Sequence, residues 1–259
     1  MTPAISVKNL AKRFANYDAV GDISFQVQPG CFVSIVGPSG CGKSTLLNLI
    51  AGLEIPTAGE IEIFGEPLTG INRRAAYMFQ QDALLPWKTV LDNIQLGLRF
   101  RGCKPTKALQ EATLWVDRVG LQGFGLSYPY QLSGGMRKRV GMAQSWIIQP
   151  DLVLMDEPFS ALDIHTRLRM ESEILNIWSA AQNTVVFVTH DLEEAISLSD
   201  EILLLSAGPG SHLVGKYHVD LERPRNLIDI KTQPRFQELF RAIWSDLRQE
   251  VLKSYERIQ

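Results

Sequence analysis

Phe32 to Thr45 reads FVSIVGPSGCGKST, and this stretch decides the fold. A five-residue apolar run, FVSIV (Phe32 to Val36), leads into the glycine-rich GPSGCGKST (Gly37 to Thr45), which opens the helical pattern TLLNLIAG. Strand, tight turn and helix start in that order are the context in which GxxxxGKS reads as a phosphate-binding loop. The glycines let backbone N–H groups turn inward around phosphate oxygens, and the helix N-terminus adds positive potential. Lys43 would neutralise phosphate charge, and the Ser44 hydroxyl could ligate Mg²⁺. Gly37, Pro38, Ser39, Gly40, Cys41, Gly42, Lys43, Ser44 and Thr45 are therefore the phosphate-side candidates, against the bland alternative of a ligand-free strand-to-helix turn. Cys41 also lies near Lys43 and a helix N-terminus, surroundings that favour thiolate. It is expected to react with maleimides and to be protected by ATP.

Outward from this loop, short apolar runs alternate with helical patterns: AAYMF (Ala75 to Phe79), LVLM (Leu152 to Met155), VVFVT (Val185 to Thr189) and EILLLS (Glu201 to Ser206). Runs this short predict buried parallel strands covered by helices. ISFQV (Ile23 to Val27) and EIEIF (Glu60 to Phe64) alternate polar with apolar and predict a more exposed antiparallel portion, making the sheet mixed. Between Gln80 and Leu152 the pattern is helical throughout, the mark of an inserted subdomain. Ala108, Ala112, Trp115, Val116 and Val119 form one apolar stripe there, and Met136, Val140, Ala143 and Ile147 form a second. A strand-like VGKYHVDL and a helical tail from about Pro234 follow; the tail is too short for a regulatory domain.

The 259-residue chain is long enough for a substantial hydrophobic core, and 21% of it is charged with a net charge of −2. That balance leaves no broad basic field, so no nucleic-acid partner is expected. Cys31, Cys41 and Cys103 are odd in number and lack metal-like spacing, which fits a reducing compartment. No apolar run approaches the ~20 residues of a membrane helix. Any membrane role is expected to come through a partner that supplies the spanning helices.

Three further segments carry chemistry. LVLMDEP (Leu152 to Pro158) ends an apolar strand in adjacent carboxylates, a costly arrangement without a cation or proton to manage it. Asp156 would hold Mg²⁺ through water and Glu157 would polarise an attacking water. VVFVTHDLEEA (Val185 to Ala195) puts His190 at a strand's C-terminal edge, where it could reach a γ-phosphate or be merely structural. Asp191 is expected to N-cap the next helix, with Glu194 completing a capping box. LSGGM (Leu132 to Met136) offers Ser133, Gly134, Gly135 and Met136 as a second anion nest at a helix start; alone, Ser133 reads equally well as an ordinary N-cap.

The ordered set GPSGCGKST, MFQQDALLPW, LSGGM, LVLMDEP, SALD and VTHD resembles an ABC-transporter nucleotide-binding subunit over essentially the whole chain. The resemblance implies a single α/β domain, a P-loop NTPase core with a mixed sheet, an antiparallel β portion and an inserted α-helical subdomain. Residues 1–83 and 151–230 would form the core, 84–150 the helical signature subdomain and 231–259 a short helical tail. It also implies that Gln80 senses Mg²⁺ and the permease, that Ser160, Ala161, Leu162 and Asp163 form the D-loop, and that His190 is the switch histidine. Phe14 resembles the aromatic that stacks on adenine, with Tyr17 as the alternative. The implied catalytic set is Glu157, His190 and Gln80, the implied metal set Ser44, Gln80 and Asp156, with ATP and Mg²⁺ as cofactors. The implied partners are a second copy or paired ATPase subunit, transmembrane permease subunits and, through them, an external solute-binding protein. The implied location is the cytoplasmic face of the membrane.

FQQDALLPWKTVLDNI, YPYQLSGGM, MDEPFSALD and SAGPG look like the importer subgroup for nitrate, sulfonates, taurine and related solutes. Met136 stands where many such subunits have Gln, and Gln144 where an Arg commonly follows the signature helix's Ala. The enzyme-side rival, a soluble ABC ATPase of DNA repair or translation, would usually carry a coiled-coil insertion or second cassette, and this sequence shows neither. A binding module without turnover would be expected to lose Glu157 or His190.

Overall fold

The computed structural model describes residues 2–160 and 162–256. In chain order the strands are β1 (Ile5–Phe14), β2 (Tyr17–Val27), β3 (Phe32–Val36), β4 (Ala58–Ile63), β5 (Glu66–Pro67), β6 (Ala75–Met78), β7 (Leu152–Asp156), β8 (Thr184–Val188), β9 (Glu201–Leu205) and β10 (Leu213–His218). The helices are α1 (Lys43–Ala51), α2 (Val90–Phe100), α3 (Pro105–Arg118), α4 (Gly134–Trp146), α5 (Ile164–Ala181), α6 (Leu192–Leu198) and α7 (Pro234–Glu256). Among the described residues no helix is long and apolar enough to cross a membrane.

The strands form two sheets. One runs β10-β9-β3-β8-β7-β6, parallel except for β10, which pairs antiparallel with β9. The antiparallel portion is a sheet of its own, in the order β2-β1-β4-β5. The large sheet is therefore mixed through β10, and not through the ISFQV and EIEIF strands, which belong to the second sheet. β1 is the strand whose pattern leaves no mark in the sequence. ISVKNLAKRF interleaves lysines, and register shifts between Val7 and Leu10 and again near Lys12 break the period of two on which strand recognition rests.

Side-chain alternation sorts the core onto two faces of the parallel sheet. Val33, Ile35, Leu152, Leu154, Val186 and Val188 face α1 and the antiparallel sheet. Phe32, Val153, Met155, Val185 and Phe187 face the opposite way, into a cluster with α3, α4 and α5. Helix α1 fills the space between the two sheets, so Leu46, Leu47, Leu49 and Ile50 are all buried and the helix needs no polar face. On the second face the Phe32 ring meets Trp178 edge-on at 5.6 Å and lies 6.0 Å from Phe187.

Both predicted helical stripes lie on helices. Ala108, Ala112, Trp115 and Val116 are buried on α3, which ends at Val119 just before Gly120, and Val140 and Ala143 are buried on α4. The tail helix α7 packs Phe236, Leu239, Ile243 and Leu247 against Val36, Ile202 and Leu204, forming a third cluster. Its Glu250 accepts the Ala207 N–H at 2.9 Å and pairs with Lys253, which pins the segment after β9. Truncating the buried Phe236 leaves a cavity that this docked helix cannot refill. Phe236→Ala is expected to lower unfolding free energy by about 3–5 kcal/mol. Thermal or denaturant unfolding measures it, and a loss below about 1 kcal/mol would show that α7 is not part of the cooperative core.

Candidate functional site

The loop between β3 and α1 closes over its own lysine. Lys43 is buried at 7% exposure, and its ammonium donates to the carbonyls of Gly37 at 2.9 Å and Pro38 at 3.0 Å. Gly42 caps α1 at φ 89°, and a Cβ there would meet the Ala19 carbonyl oxygen at 2.5 Å, so only glycine fits the turn. The loop opens on a cavity of about 380 Å³ lined by Gly40, Lys43, Ser44 and Thr45, with Glu157 opposite and Tyr17 at the side. Backbone donors, a helix N-terminus and a lysine around one hollow make a polyphosphate cradle.

Three strand ends converge on this hollow because β3, β7 and β8 lie side by side and parallel. Ser44 Oγ donates to Asp156 Oδ1 at 3.0 Å. Burial raises the Asp156 carboxyl, and the neighbouring Glu157 raises it further, while the Ser44 hydrogen bond and Lys43 act the other way. Hydroxyl and carboxylate oxygens, with no thiol among them, form the donor set a hard cation takes. Glu157 sits at φ 43°, a left-handed backbone uncommon outside glycine, held by its N–H to the Val188 carbonyl at 2.9 Å. Its Oε2 accepts from Gln80 Nε2 at 3.2 Å and lies 3.2 Å from His190 Nδ1. Gln80, Glu157 and His190 are thus brought together from three separate segments.

The other sequence candidates lie elsewhere. Ser133 caps α4 by accepting the Met136 N–H at 3.3 Å, and Gly134 and Gly135 form that helix's first turn. None of Ser133, Gly134, Gly135 and Met136 lines the Lys43 cavity. Ser160 is exposed, Leu162 packs on the helical core cluster, and Asp163 caps α5 by accepting the Thr166 N–H at 3.0 Å. Ala161 falls outside the described residues. Phe14 and Tyr17 are paired across the β1–β2 turn and both are part-exposed, at 40% and 47%. Tyr17 lines the cavity and donates its hydroxyl to the Gly40 carbonyl at 3.1 Å, whereas Phe14 stacks under the Lys12 ammonium.

The structure corrects two expectations. Asp191 does cap α6, accepting from Glu193 N at 2.8 Å and Glu194 N at 3.3 Å, but Glu194 does not complete a capping box. Its carboxylate instead accepts the Thr189 hydroxyl at 2.6 Å, and Thr189 Oγ1 accepts the Asp191 N–H at 3.0 Å, so a hydroxyl stands between the two groups. Cys41 is fully buried, and burial raises its thiol pKa more than Lys43 lowers it. A thiolate is therefore not favoured there.

Sequence reading also missed the ties that hold this site in place. Lys138 of α4 donates to the Gln80 carbonyl at 2.5 Å, and Arg137 pairs with Asp82 at 2.8 Å, linking the Ser133 helix to the Gln80 loop. Gln144 of the same helix borders the adjoining groove. Such a basic helix face is ordinary in sequence, and only the packing of α4 beside β6 gives it a partner. For Cys41, maleimide treatment of the native chain is expected to leave the thiol unmodified with or without ATP. Peptide mapping checks this, and labelling that ATP blocks would reverse the assignment.

The family described as ABC transporter matches residues 20–160. The aliphatic sulfonates import ATP-binding protein of Bacillus cereus is 40% identical over 250 residues, covering 96% of this chain and 93% of that protein. The taurine import ATP-binding protein of Yersinia pestis is 43% identical over 206 residues, covering 80% of this chain and 81% of that one. An ATP-binding cassette solved as a dimer in a post-hydrolysis state with ADP and Pi superposes with a TM-score of 0.75 at 29% identity, covering 84% of this chain and all of that one. The match over more than half of the chain and these identities place it in the ABC transporter family, as an ATPase.

Proposed function

We propose that this chain is the ATP-hydrolysing subunit of an ABC importer for a small solute such as a sulfonate, taurine or nitrate. It works at the cytoplasmic face of the membrane, with a permease that receives solute from an external binding protein. The observation that carries the reading is the convergence of Lys43, Ser44, Asp156, Glu157, Gln80 and His190 around one hollow. The names of the sulfonate and taurine relatives support the solute class.

In this reading the loop's N–H groups and Lys43 bind the β- and γ-phosphates, and the Phe14–Tyr17 turn takes the adenine. Ser44, Asp156 and Gln80 would hold Mg²⁺, which when bound neutralises charge between those phosphates. Glu157 accepts a proton from water as its oxygen attacks the γ-phosphorus and the bond to ADP breaks, yielding ADP and phosphate. His190 holds Glu157 and the γ-phosphate in register, and Gln80 carries the state of the site toward the permease. The groove beside it, bordered by Phe79, Asp82, Lys138 and Gln144, is the permease docking surface. Residues 84–150 act as the signature subdomain, residues 1–83 and 151–230 as the motor core, and 231–259 as a tail.

Closure is the work of two copies. The Lys43 cavity is open on one side, and Ser133 to Met136 lie outside it, so a second copy's LSGGM would complete each site, with Ser160 to Asp163 at the seam. Electrostatic cover from the partner's backbone N–H groups then excludes all water except the attacking molecule.

Glu157→Gln should retain ATP affinity within about 2-fold while lowering turnover by at least about 100-fold, because binding rests on the loop and water activation on the carboxylate. Near-normal steady-state hydrolysis would remove Glu157 from the base role. Mixed dimers test the shared site. Pairing a Lys43→Ala chain with a Ser133→Arg chain, both carrying Glu157→Gln, puts both lesions in one site and leaves the other intact. About one ATP should be trapped per mixed dimer, and trapping no higher than in either doubly mutant homodimer would sink the shared-site arrangement.

A further inference from the structure

Both neighbours of His190 are tied, and the ties meet at one cation. On the N-terminal side, Thr189 donates its hydroxyl to Glu194 Oε2 at 2.6 Å. On the C-terminal side, Asp191 N donates to that same hydroxyl oxygen at 3.0 Å, while Asp191 Oδ1 is taken up in capping α6. The outer oxygens of both carboxylates face Arg167: Nη1 is 3.3 Å from Asp191 Oδ2 and 3.5 Å from Glu194 Oε1. Its other amino group, Nη2, donates to the Leu162 carbonyl at 3.4 Å, and the Arg167 N–H bonds the Asp163 carbonyl at 2.9 Å. A single guanidinium therefore joins the Leu162–Asp163 segment to both flanks of His190. Planar, forked donors suit this bridging, which a point charge on a flexible stem cannot match in full.

The surroundings make the cation necessary. Glu194 is buried, and Glu171, one turn beyond Arg167 on α5, is buried as well, with its pKa pushed up to about 7 by desolvation and by Glu194. Three carboxyl groups, those of Glu171, Asp191 and Glu194, thus crowd one side of α6, with Lys231 and, more weakly, Arg167 as the positive charges acting on Glu171. Lys231 is engaged with Glu193 at 2.6 Å. Loss of Arg167 would leave Asp191 and Glu194 repelling each other across Thr189, with only the Thr189 and cap hydrogen bonds to hold the His190 backbone at its present angle to Glu157.

We infer that Arg167 is a positioning residue for ATP hydrolysis, aligning His190 on Glu157 and coupling that alignment to the Leu162–Asp163 segment at the dimer seam. This rests on the role given above to His190, and it adds a route by which a movement of the seam in a closing dimer reaches the histidine. Arg167 does not line the Lys43 cavity; among the described residues its side chain meets only the Leu162 carbonyl and the Asp191 and Glu194 carboxylates, so it acts as a positioning residue and not as a catalytic one.

The test measures single-turnover hydrolysis and ATP binding for the full-length chain with Arg167→Met, Arg167→Lys, His190→Gln and the Arg167→Met/His190→Gln double variant. Arg167→Met should lower the hydrolysis rate about 10-fold or more with ATP affinity within about 2-fold, because the Lys43 loop is untouched. Arg167→Lys should recover to within a few-fold of wild type. In the His190→Gln background, Arg167→Met should cost less than about 2-fold, since the group it positions is already gone. An equal cost in both backgrounds, a fall in ATP affinity that accounts for the rate loss, or no rate loss at all would each overturn the inference. If Arg167→Met does not fold, Arg167→Met/Glu194→Gln removes the stranded charge, and the same comparisons are made against Glu194→Gln. Full hydrolysis by His190→Gln would instead bring down the site reading itself, whereas a dead His190→Gln beside an active Arg167→Met would bring down only the role of Arg167.

Discussion

The site depends on a buried ammonium held by carbonyls instead of carboxylates. Lys43 bonds to the Gly37 and Pro38 carbonyls, and no carboxylate among the described residues comes within ion-pairing distance of it. A charge so placed is only partly compensated, and an anion in the adjoining hollow completes the balance. The strand-to-helix turn exists to make that arrangement possible. Gly42 accepts the left-handed backbone against Ala19, and α1 begins at the lysine itself, with its N–H groups aimed at the same space.

Holding this geometry requires a rigid frame, and the frame is the parallel sheet. β3, β7 and β8 are buried on both faces, so their C-terminal ends keep fixed spacing, and Lys43, Asp156 and His190 are each set by a strand end or the turn beyond it. Helix α1 is wedged between two sheets, which fixes the loop from behind. Glu157 takes a left-handed backbone at the end of β7, held by the neighbouring strand. The cost of that conformation is carried by the surrounding core, and the result is a carboxylate aimed at both Gln80 and His190.

Charged groups outside the site tie it to its surroundings. Lys138 and Arg137 tie the Gln80 loop to the Ser133 helix, and Arg167 ties His190 to the segment that follows Glu157. In the proposed reading, each tie joins an element at the nucleotide to an element that a second copy or a permease would touch. A two-state machine needs such links, because a ligand shifts an equilibrium only through contacts that differ between the states.

Much of this was legible in one dimension. GPSGCGKST after FVSIV sets a phosphate loop because glycine spacing and helix start act within a few residues, where chain connectivity itself fixes the neighbours. The runs at Leu152, Val185 and Glu201 read as buried strands for the same reason, and the α3 and α4 stripes follow from helical period. β1 is illegible because bulges break its alternation, and that the antiparallel strands form a sheet of their own cannot be read because pairing partners lie far apart in sequence. Cys41 reads as reactive from its neighbours in the chain, but its neighbours in space bury it and push its thiol pKa up, since burial outweighs one nearby lysine. Thr189 entered between Asp191 and Glu194, and Arg167 found its carboxylates on another helix. The sequence by itself determined which residues could do the chemistry, through local spacing and residue type. Which of them meet, and which way burial pushes a carboxyl or thiol, is set by the fold, because desolvation and contacts between distant segments depend on how the sheets and helices pack.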